Sequence, residues 1–213
     1  GYEHLLNELF GLYKNVSEIH FNELPNQFVL KDTHGSGHNI IVRDKKQLCQ
    51  WKAKMMMHTW LHQSIAWSGR EWVYQNMPRH IIVEKYLEDE TGELRDYKFY
   101  CFNGEPRFMQ LEVGRGTDHN TRNFYDMDWN LMPFGKELPH NPNINVTRPQ
   151  MFDEMQKIAH DLCKPFQYVR VDLYQVCGKV YFGELTFFPA GGAPDFVPAE
   201  YDAVVGKMWK LVK

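Results

Sequence analysis

The sequence has no Cys-x-x-Cys pair, no apolar run long enough to cross a bilayer, no dense basic stretch and no internal repeat. Each absence removes a class of protein. Four cysteines, Cys49, Cys101, Cys163 and Cys177, lie far apart among 213 residues, which argues against a zinc site or a disulfide framework and suits a reducing cytoplasm. A formal net charge of -3 offers no electrostatic footprint for nucleic acid or an anionic membrane, so no nucleic-acid partner is expected. The opening GYEHLLNELF lacks the basic-then-apolar layout of a signal peptide, and no transmembrane segment is expected. A soluble, cytoplasmic protein is the expectation. Convincing Ser/His/Asp or Cys/His nucleophile arrangements are also missing. His58 and His62 have helical i, i+4 spacing, but the glutamate of a His-Glu-x-x-His zinc motif is absent.

What is present is a mixture of α and β signals. Residues 27 to 31 and 38 to 43 read as two strands of a hairpin around the loop DTHGSGH. Lys31 stands ahead of these glycines. A Walker loop places its lysine directly after the glycines, and a protein kinase places it on a later strand, so neither pattern fits. Asp44 with Gln47 forms a capping box, and Leu48, Trp51 and Met55 at helical spacing predict a helix to about Trp67. HIIVEKYL, residues 80 to 87, reads as a buried strand. Asn103-Gly104 between RDYKFYCF and EPRFMQLEV is a two-residue hairpin signal, and TRNFYD is a further strand. RPQMFDEMQKIAHDLCK reads as a helix with proline in its first turn, and PAEYDAVVGKMWKLVK as the last helix.

The clearest alternation lies in YVRVDLYQVCGKVYFGELTF. Arg170, Asp172 and Tyr174 share one face of the first arm; Glu184 and Thr186 share a face with Phe182 and Phe188 on the second. A two-residue turn at Cys177-Gly178 puts Asp172 and Glu184 on opposite faces. A three-residue turn with Gly178 in the left-handed region pairs Asp172 near Phe182 and aligns the acids. The three-residue turn is the expectation. Two carboxylates on an otherwise apolar hairpin repel each other and cost desolvation, so a divalent cation is a reason for both to be there, and oxygen-only ligands favour magnesium or manganese.

Taken in order, LPNQFVLKDTHGSG, VEKYL, DYKFYCFNGEP and GELTFFPAGG resemble the ATP-grasp superfamily, and within it the TupA-like family of teichuronopeptide and polysaccharide biosynthesis, from about Leu24 to Gly206. The resemblance implies an α+β ATP-grasp fold of two lobes clasping ATP, residues 1–88 and 89–213. The small amino-terminal domain that usually precedes the lobes is expected to be missing from this chain, a piece cut from a longer one. Lys31 would match the lysine that contacts ATP phosphates, and Gly35, Ser36 and Gly37 the loop whose backbone N–H groups fold over them. Glu84 with the Lys85, Tyr86 and Leu87 backbone would match the adenine hinge, with Glu88 or Glu90 reaching the ribose. Lys98, on the strand face of Asp96, would be a second phosphate contact. Asp172 and Glu184 would be the metal ligands; Thr186 stands where many members have asparagine. Arg115 and Arg122, with the turn Gly191-Gly192, are nominated to orient an acyl phosphate.

The implied chemistry is ATP-dependent ligation of a carboxylate, a uronic acid or similar saccharide, to the amine of an amino acid, with ATP and Mg2+ (or Mn2+) as cofactors. Two other readings compete. Asp126-Met127-Asp128 spells the Asp-x-Asp with which many glycosyltransferases hold a metal and a sugar nucleotide, although aspartates just past a strand commonly make turns. The third is a non-catalytic module that binds nucleotide or polysaccharide.

Overall fold

The computed structural model describes residues 1–64, 66, 69–90, 92, 94–115, 117–144 and 146–210. The chain divides into two compact units, Asn7–Leu87 and a second made of Glu88–Lys213 together with Gly1–Leu6.

The first unit is built on strands β1 (Leu9–Tyr13), β2 (Phe28–Asp32), β3 (Asn39–Val42) and β4 (Ile81–Lys85), antiparallel in the order β1-β4-β2-β3. Alternation in β2 and β4 sends Phe28, Leu30, Ile81 and Val83 inward, where they are almost fully buried against helix α1 (Gln50–His62). The other face carries Val29 and Lys31 beside Ile82 and Glu84, with Ile41 and Asn39 following across β3.

The helix here is shorter than the sequence predicts. The Asp44 carboxylate accepts from the Lys46 N–H and from Gln47 Nε2, but this cap closes a single 3-10 turn, Lys45–Gln47, and α1 begins only at Gln50. It ends at His62, and Trp67 lies outside the described residues. Its buried face is Ala53, Met57 and Trp60, leaving Trp51 72% and Met55 51% exposed. WKAKMMMHTWL has apolar residues on more than one face, so spacing alone could not choose between them. Trp60→Ala is therefore expected to cost about 3–5 kcal/mol of stability and Trp51→Ala within about 0.5 kcal/mol of nothing, read as denaturant midpoints.

The second unit is a five-stranded antiparallel sheet in the order β10-β9-β5-β6-β7. Its strands are β5 (Asp96–Phe102), β6 (Glu105–Val113), β7 (Thr121–Asp126), β9 (Tyr168–Val176) and β10 (Lys179–Thr186). Asn103 and Gly104 both take positive φ, 52° and 77°, as the predicted two-residue hairpin demands. Strand β8 (Gly135–Lys136) pairs with β11 (Phe196–Val197) in a small separate ladder.

One face of the large sheet receives helix α2 (Phe152–Cys163). Phe152, Met155, Ile158, Ala159 and Cys163 recur at helical spacing and pack on Phe99, Met109, Leu111, Val169, Val171 and Leu173. Pro149 precedes this helix in a turn, its carbonyl accepting from the Phe152 N–H. The opposite face has an aromatic half and a polar half. Tyr100, Phe102, Phe108 and Phe124 pack with Phe134, Phe196 and Val205, the last from helix α3 (Glu200–Gly206). The predicted final helix is thus confined to its first part; residues 211–213 lie outside the described set. Gln110, Lys98, Asp172 and Glu184 form a row across four strands, and Tyr100, Arg170 and Thr186 form the next.

Candidate functional site

The carboxylates of β9 and β10 align, but by a route other than the expected one. Cys177 and Gly178 take φ of 49° and 71° and form a two-residue turn with Val176 opposite Lys179. By itself that register sends Glu184 to the wrong face. A β-bulge between Phe182 and Glu184 corrects it: Leu173 pairs with Phe182, yet Asp172 pairs with Glu184. The expected three-residue turn is therefore replaced by a tight turn plus a bulge at Gly183. Phe182 consequently packs on the apolar side with Leu185, not on the face of Glu184 and Thr186. A Cβ at Gly183 would lie 2.9 Å from the Asp172 carbonyl oxygen and 3.0 Å from the Tyr174 ring. Only glycine fits this close approach without displacing its neighbours.

On the polar face one guanidinium organises the acids. Arg170 donates from Nε to Asp172 Oδ1 at 2.7 Å, and its Nη2 reaches Asp172 Oδ2 at 2.6 Å, Thr186 Oγ1 at 2.9 Å and Glu184 Oε1 at 3.2 Å. The Thr186 hydroxyl also donates to Glu184 Oε1 at 2.9 Å. All three residues expected to hold a metal thus converge on a single positive nitrogen. Lys98 donates to Asp172 Oδ2 at 2.6 Å and to Asp96, so two carboxylates share one ammonium. Burial pushes the Asp172 carboxyl up, but Lys98 and Arg170 outweigh it and hold it below its ordinary value. At Asp96 burial wins and the carboxyl is raised, with Lys98 opposing. Asp96 Oδ1 is buried without a hydrogen-bond partner among the described residues.

The donor set suits a hard divalent cation. It is oxygen-only and includes two carboxylates on adjacent strands; the Arg170 Nη2 that now answers their charge would have to turn away for a metal to enter. Among the described residues no group of three or more His, Cys, Asp or Glu side chains is placed to hold a metal ion. Magnesium typically takes one or two carboxylates and completes its shell with water and phosphate oxygens.

Of the two nominated arginines, Arg122 is held by Glu112 at 2.6 Å, by Glu137 and by the Lys136 carbonyl at 3.2 Å. Arg115 has a side chain 64% exposed, its Nε 3.6 Å from Glu112. Ala190, Gly191 and Gly192 all have positive φ, so the nominated turn is a left-handed stretch of backbone. In the Asp-x-Asp segment, Asp126 accepts from the backbone of Asp128 and Asn130 and from Asn130 Nδ2 at 2.8–2.9 Å. Those bonds make it a turn-forming aspartate.

In the first unit Lys31 Nζ donates to Glu84 Oε2 at 2.7 Å across the open sheet face. Just beyond β4, the Leu87 N–H and C=O have no hydrogen-bond partner among the described residues. Lys85 is tied on both sides, its N–H to the Glu8 carbonyl and its carbonyl to Asn7 Nδ2. Tyr86 accepts from Arg43 Nε at 2.9 Å, and Glu88 and Glu90 are exposed.

The glycine loop has an anchor that sequence reasoning missed. The Asp32 side chain is 1% exposed; its Oδ2 lies 2.8 Å from His38 Nδ1 and 3.7 Å from His34 Nε2. His34 Nε2 is 2.9 Å from the Trp60 carbonyl, and the His38 ring stacks on Trp60 with centroids 5.2 Å apart. A Cβ at Gly35 would come within 2.5 Å of the Asp32 carboxylate and 2.8 Å of His38 Nδ1, whereas Gly37, at φ 76°, faces open space. Gly35 is therefore demanded by this anchor. Gly35→Ala is expected to cost about 1–3 kcal/mol in thermal unfolding, while Ser36→Ala, at an exposed position, changes little.

An antiparallel sheet bearing a lysine and glycine hairpin, joined in one chain to a second sheet whose hairpin focuses oxygen ligands, has the makings of an ATP-grasp protein. The fold agrees. D-alanine–D-alanine ligase from Bacillus anthracis aligns with a TM-score of 0.50 and 18% identity over 95% of this chain and 58% of the ligase. The same enzyme complexed with ATP gives 0.46 and 16% over 87% and 49%, and the ATP-grasp ligase PsnB with its minimal precursor, Mg and ADP gives 0.46 and 10% over 85% and 45%. The chain thus spans about half the length of these ligases. No curated protein matches it significantly. The chain belongs to the TupA-like ATP-grasp family, whose profile matches residues 7–210. Among the described residues no helix is long and apolar enough to cross a membrane.

Proposed function

We propose that the protein is an ATP-dependent carboxylate–amine ligase that joins an amino acid to a uronic acid or similar carboxylate in surface-polysaccharide biosynthesis. The observation that carries this reading is that, in a TupA-like ATP-grasp chain, oxygens of Asp172, Glu184 and Thr186 gather around one nitrogen, Arg170 Nη2. A carboxylate oxygen of the acceptor attacks the terminal phosphorus of ATP, and the bond to the bridging oxygen breaks to release ADP. The amine nitrogen then attacks the acyl carbon, and phosphate leaves as the amide forms. No enzyme nucleophile is needed, so the protein's contribution is position and charge.

Lys31 exchanges Glu84 for phosphate oxygens, and Gly35, Ser36 and Gly37 offer backbone N–H groups to the same phosphates. The adenine edge is read by the backbone at Leu87, flanked by Glu84, Lys85 and Tyr86, and the ribose by Glu90 or Glu88. Lys98 holds Asp172 ionised and supplies a second phosphate contact. Arg170 retains Asp172 through Nε and turns Nη2 toward the transferring phosphoryl group. Arg115, the more exposed of the two nominated arginines, orients the acyl phosphate, a role supported by its freer side chain beside an Arg122 held by Glu112 and Glu137. Magnesium or manganese held by Asp172 and Glu184, with Thr186 beside them, would neutralise phosphate charge.

The test incubates the intact protein with ATP, magnesium and a panel of uronic acids and amino acids, following ADP and product mass together. ADP release should require the acid, and an amide product should require both substrates. Consumption of a UDP-sugar with ATP untouched would replace this reading with glycosyl transfer.

A further inference from the structure

Positively charged side chains of the second unit differ in how their charge is answered. Lys98 holds Asp96 and Asp172, Arg122 holds Glu112 and Glu137, and Arg170 holds Asp172 and Glu184. Lys136 has no such partner. Its Nζ makes no ion pair or hydrogen bond among the described residues and lies 4.8 Å from the centroid of the Phe196 ring. Strand β8 places it there: Lys136 pairs with Phe196 across the small ladder, and its carbonyl accepts from Arg122 Nη1 at 3.2 Å. The ladder follows directly from the hairpin, since only residues 187–195 separate Thr186 from Phe196.

A half-buried ammonium on an aromatic wall is costly unless an anion completes it, and a ring face compensates only in part. Burial pulls the Lys136 amine below its ordinary value; Glu137 and Asp202 oppose this from beyond ion-pair distance, while Arg122 and Arg170 add to it. The local field is thus one in which a negative ligand group is favoured. It also lies within electrostatic reach of the guanidinium that organises Asp172 and Glu184.

We propose that Lys136 receives a second anionic group on the acceptor substrate, so that the acceptor is a sugar acid carrying, besides the carboxylate to be activated, a phosphate ester or another carboxylate. This rests on the ligase reading and narrows it to polyanionic acceptors. Lys136 is then a specificity-determining residue, and the carboxylate-activating groups are elsewhere.

The test titrates the intact protein by calorimetry, without ATP, with glucuronic acid and with glucuronic acid 1-phosphate, and compares Lys136→Met and Lys136→Arg. The wild type should prefer the phosphorylated acid by about 10- to 100-fold, the worth of one charge-assisted hydrogen bond. Lys136→Met should erase that preference at an unchanged melting temperature, and Lys136→Arg should keep most of it. Equal affinity for the two acids in the wild type, no binding of the phosphorylated one, or an undiminished preference in Lys136→Met overturns the proposal. ADP release, measured in parallel, separates the two readings. Release with glucuronic acid and no preference for its phosphate removes the Lys136 assignment and leaves the ligase. A preference that depends on Lys136, with no ADP from any acid, keeps the anion site and removes the ligase.

Discussion

Glu184→Gln is expected to lower acid-dependent ADP release by about 10²- to 10³-fold while the melting temperature stays within a degree or two of wild type. The size follows from losing one charged group proposed to stabilise phosphoryl transfer. The unchanged stability follows from exposure: the Glu184 side chain is 51% exposed, and its contact with Arg170 is the longest of the three that Nη2 makes. Asp172→Asn should lose as much activity but also unfold more easily. Its carboxylate is fully buried between Lys98 and Arg170, and removing one partner of a buried pair costs about 3–5 kcal/mol, or roughly 10 °C in a chain of this size. Glu184→Gln is therefore the cleaner test of the proposed metal role. Wild-type activity in that variant would remove Glu184 from the site.

A second large effect is expected at a residue with no chemistry of its own. Gly183→Val should cut turnover by about 100-fold, because a side chain there meets the Asp172 carbonyl and the Tyr174 ring and must push the two acid-bearing strands apart. Displacement of about 1 Å at a positioned group carries that sort of rate cost. Deleting Gly183 is the informative contrast. Without the bulge residue the tight turn still brings Glu184 opposite Asp172, so the deletion should retain more activity than the valine variant. The reverse order would show that the bulge itself, not the pairing it permits, is what the site needs. Steady-state ADP release, with circular dichroism to confirm folding, reads both.

How far the sequence discloses this structure depends on how many local rules agree. At Asn103-Gly104 turn chemistry and flanking alternation point to the same hairpin, and the positive φ of both residues follows. At Cys177-Gly178 they conflict. Cysteine is not a habitual left-handed residue, which favours the longer turn on paper, and the bulge that reconciles a short turn with aligned acids leaves only a glycine as its trace. Helix α1 fails for another reason: with tryptophan and methionine on several faces, only tertiary packing decides that Trp60 is inside and Trp51 outside.

Site residues divide in the same way. Asp172 and Glu184 stand out because acids are rare on an apolar hairpin. Arg170, two residues from Asp172 and on its face, is visible as a neighbour, but its grip on Asp172, Glu184 and Thr186 at once is a property of cross-strand geometry. The Asp32–His38 anchor reads in sequence as loop polarity and becomes a buried pair only when Trp60 of a distant helix covers it.

The most direct test of the account is a calorimetric titration of the intact protein with a non-hydrolysable ATP analogue, with and without magnesium, in wild type and Glu184→Gln. The account predicts nucleotide binding that magnesium strengthens in the wild type and leaves nearly unchanged in the variant. Equal affinity with and without magnesium in the wild type, or the same magnesium response in both proteins, would contradict it.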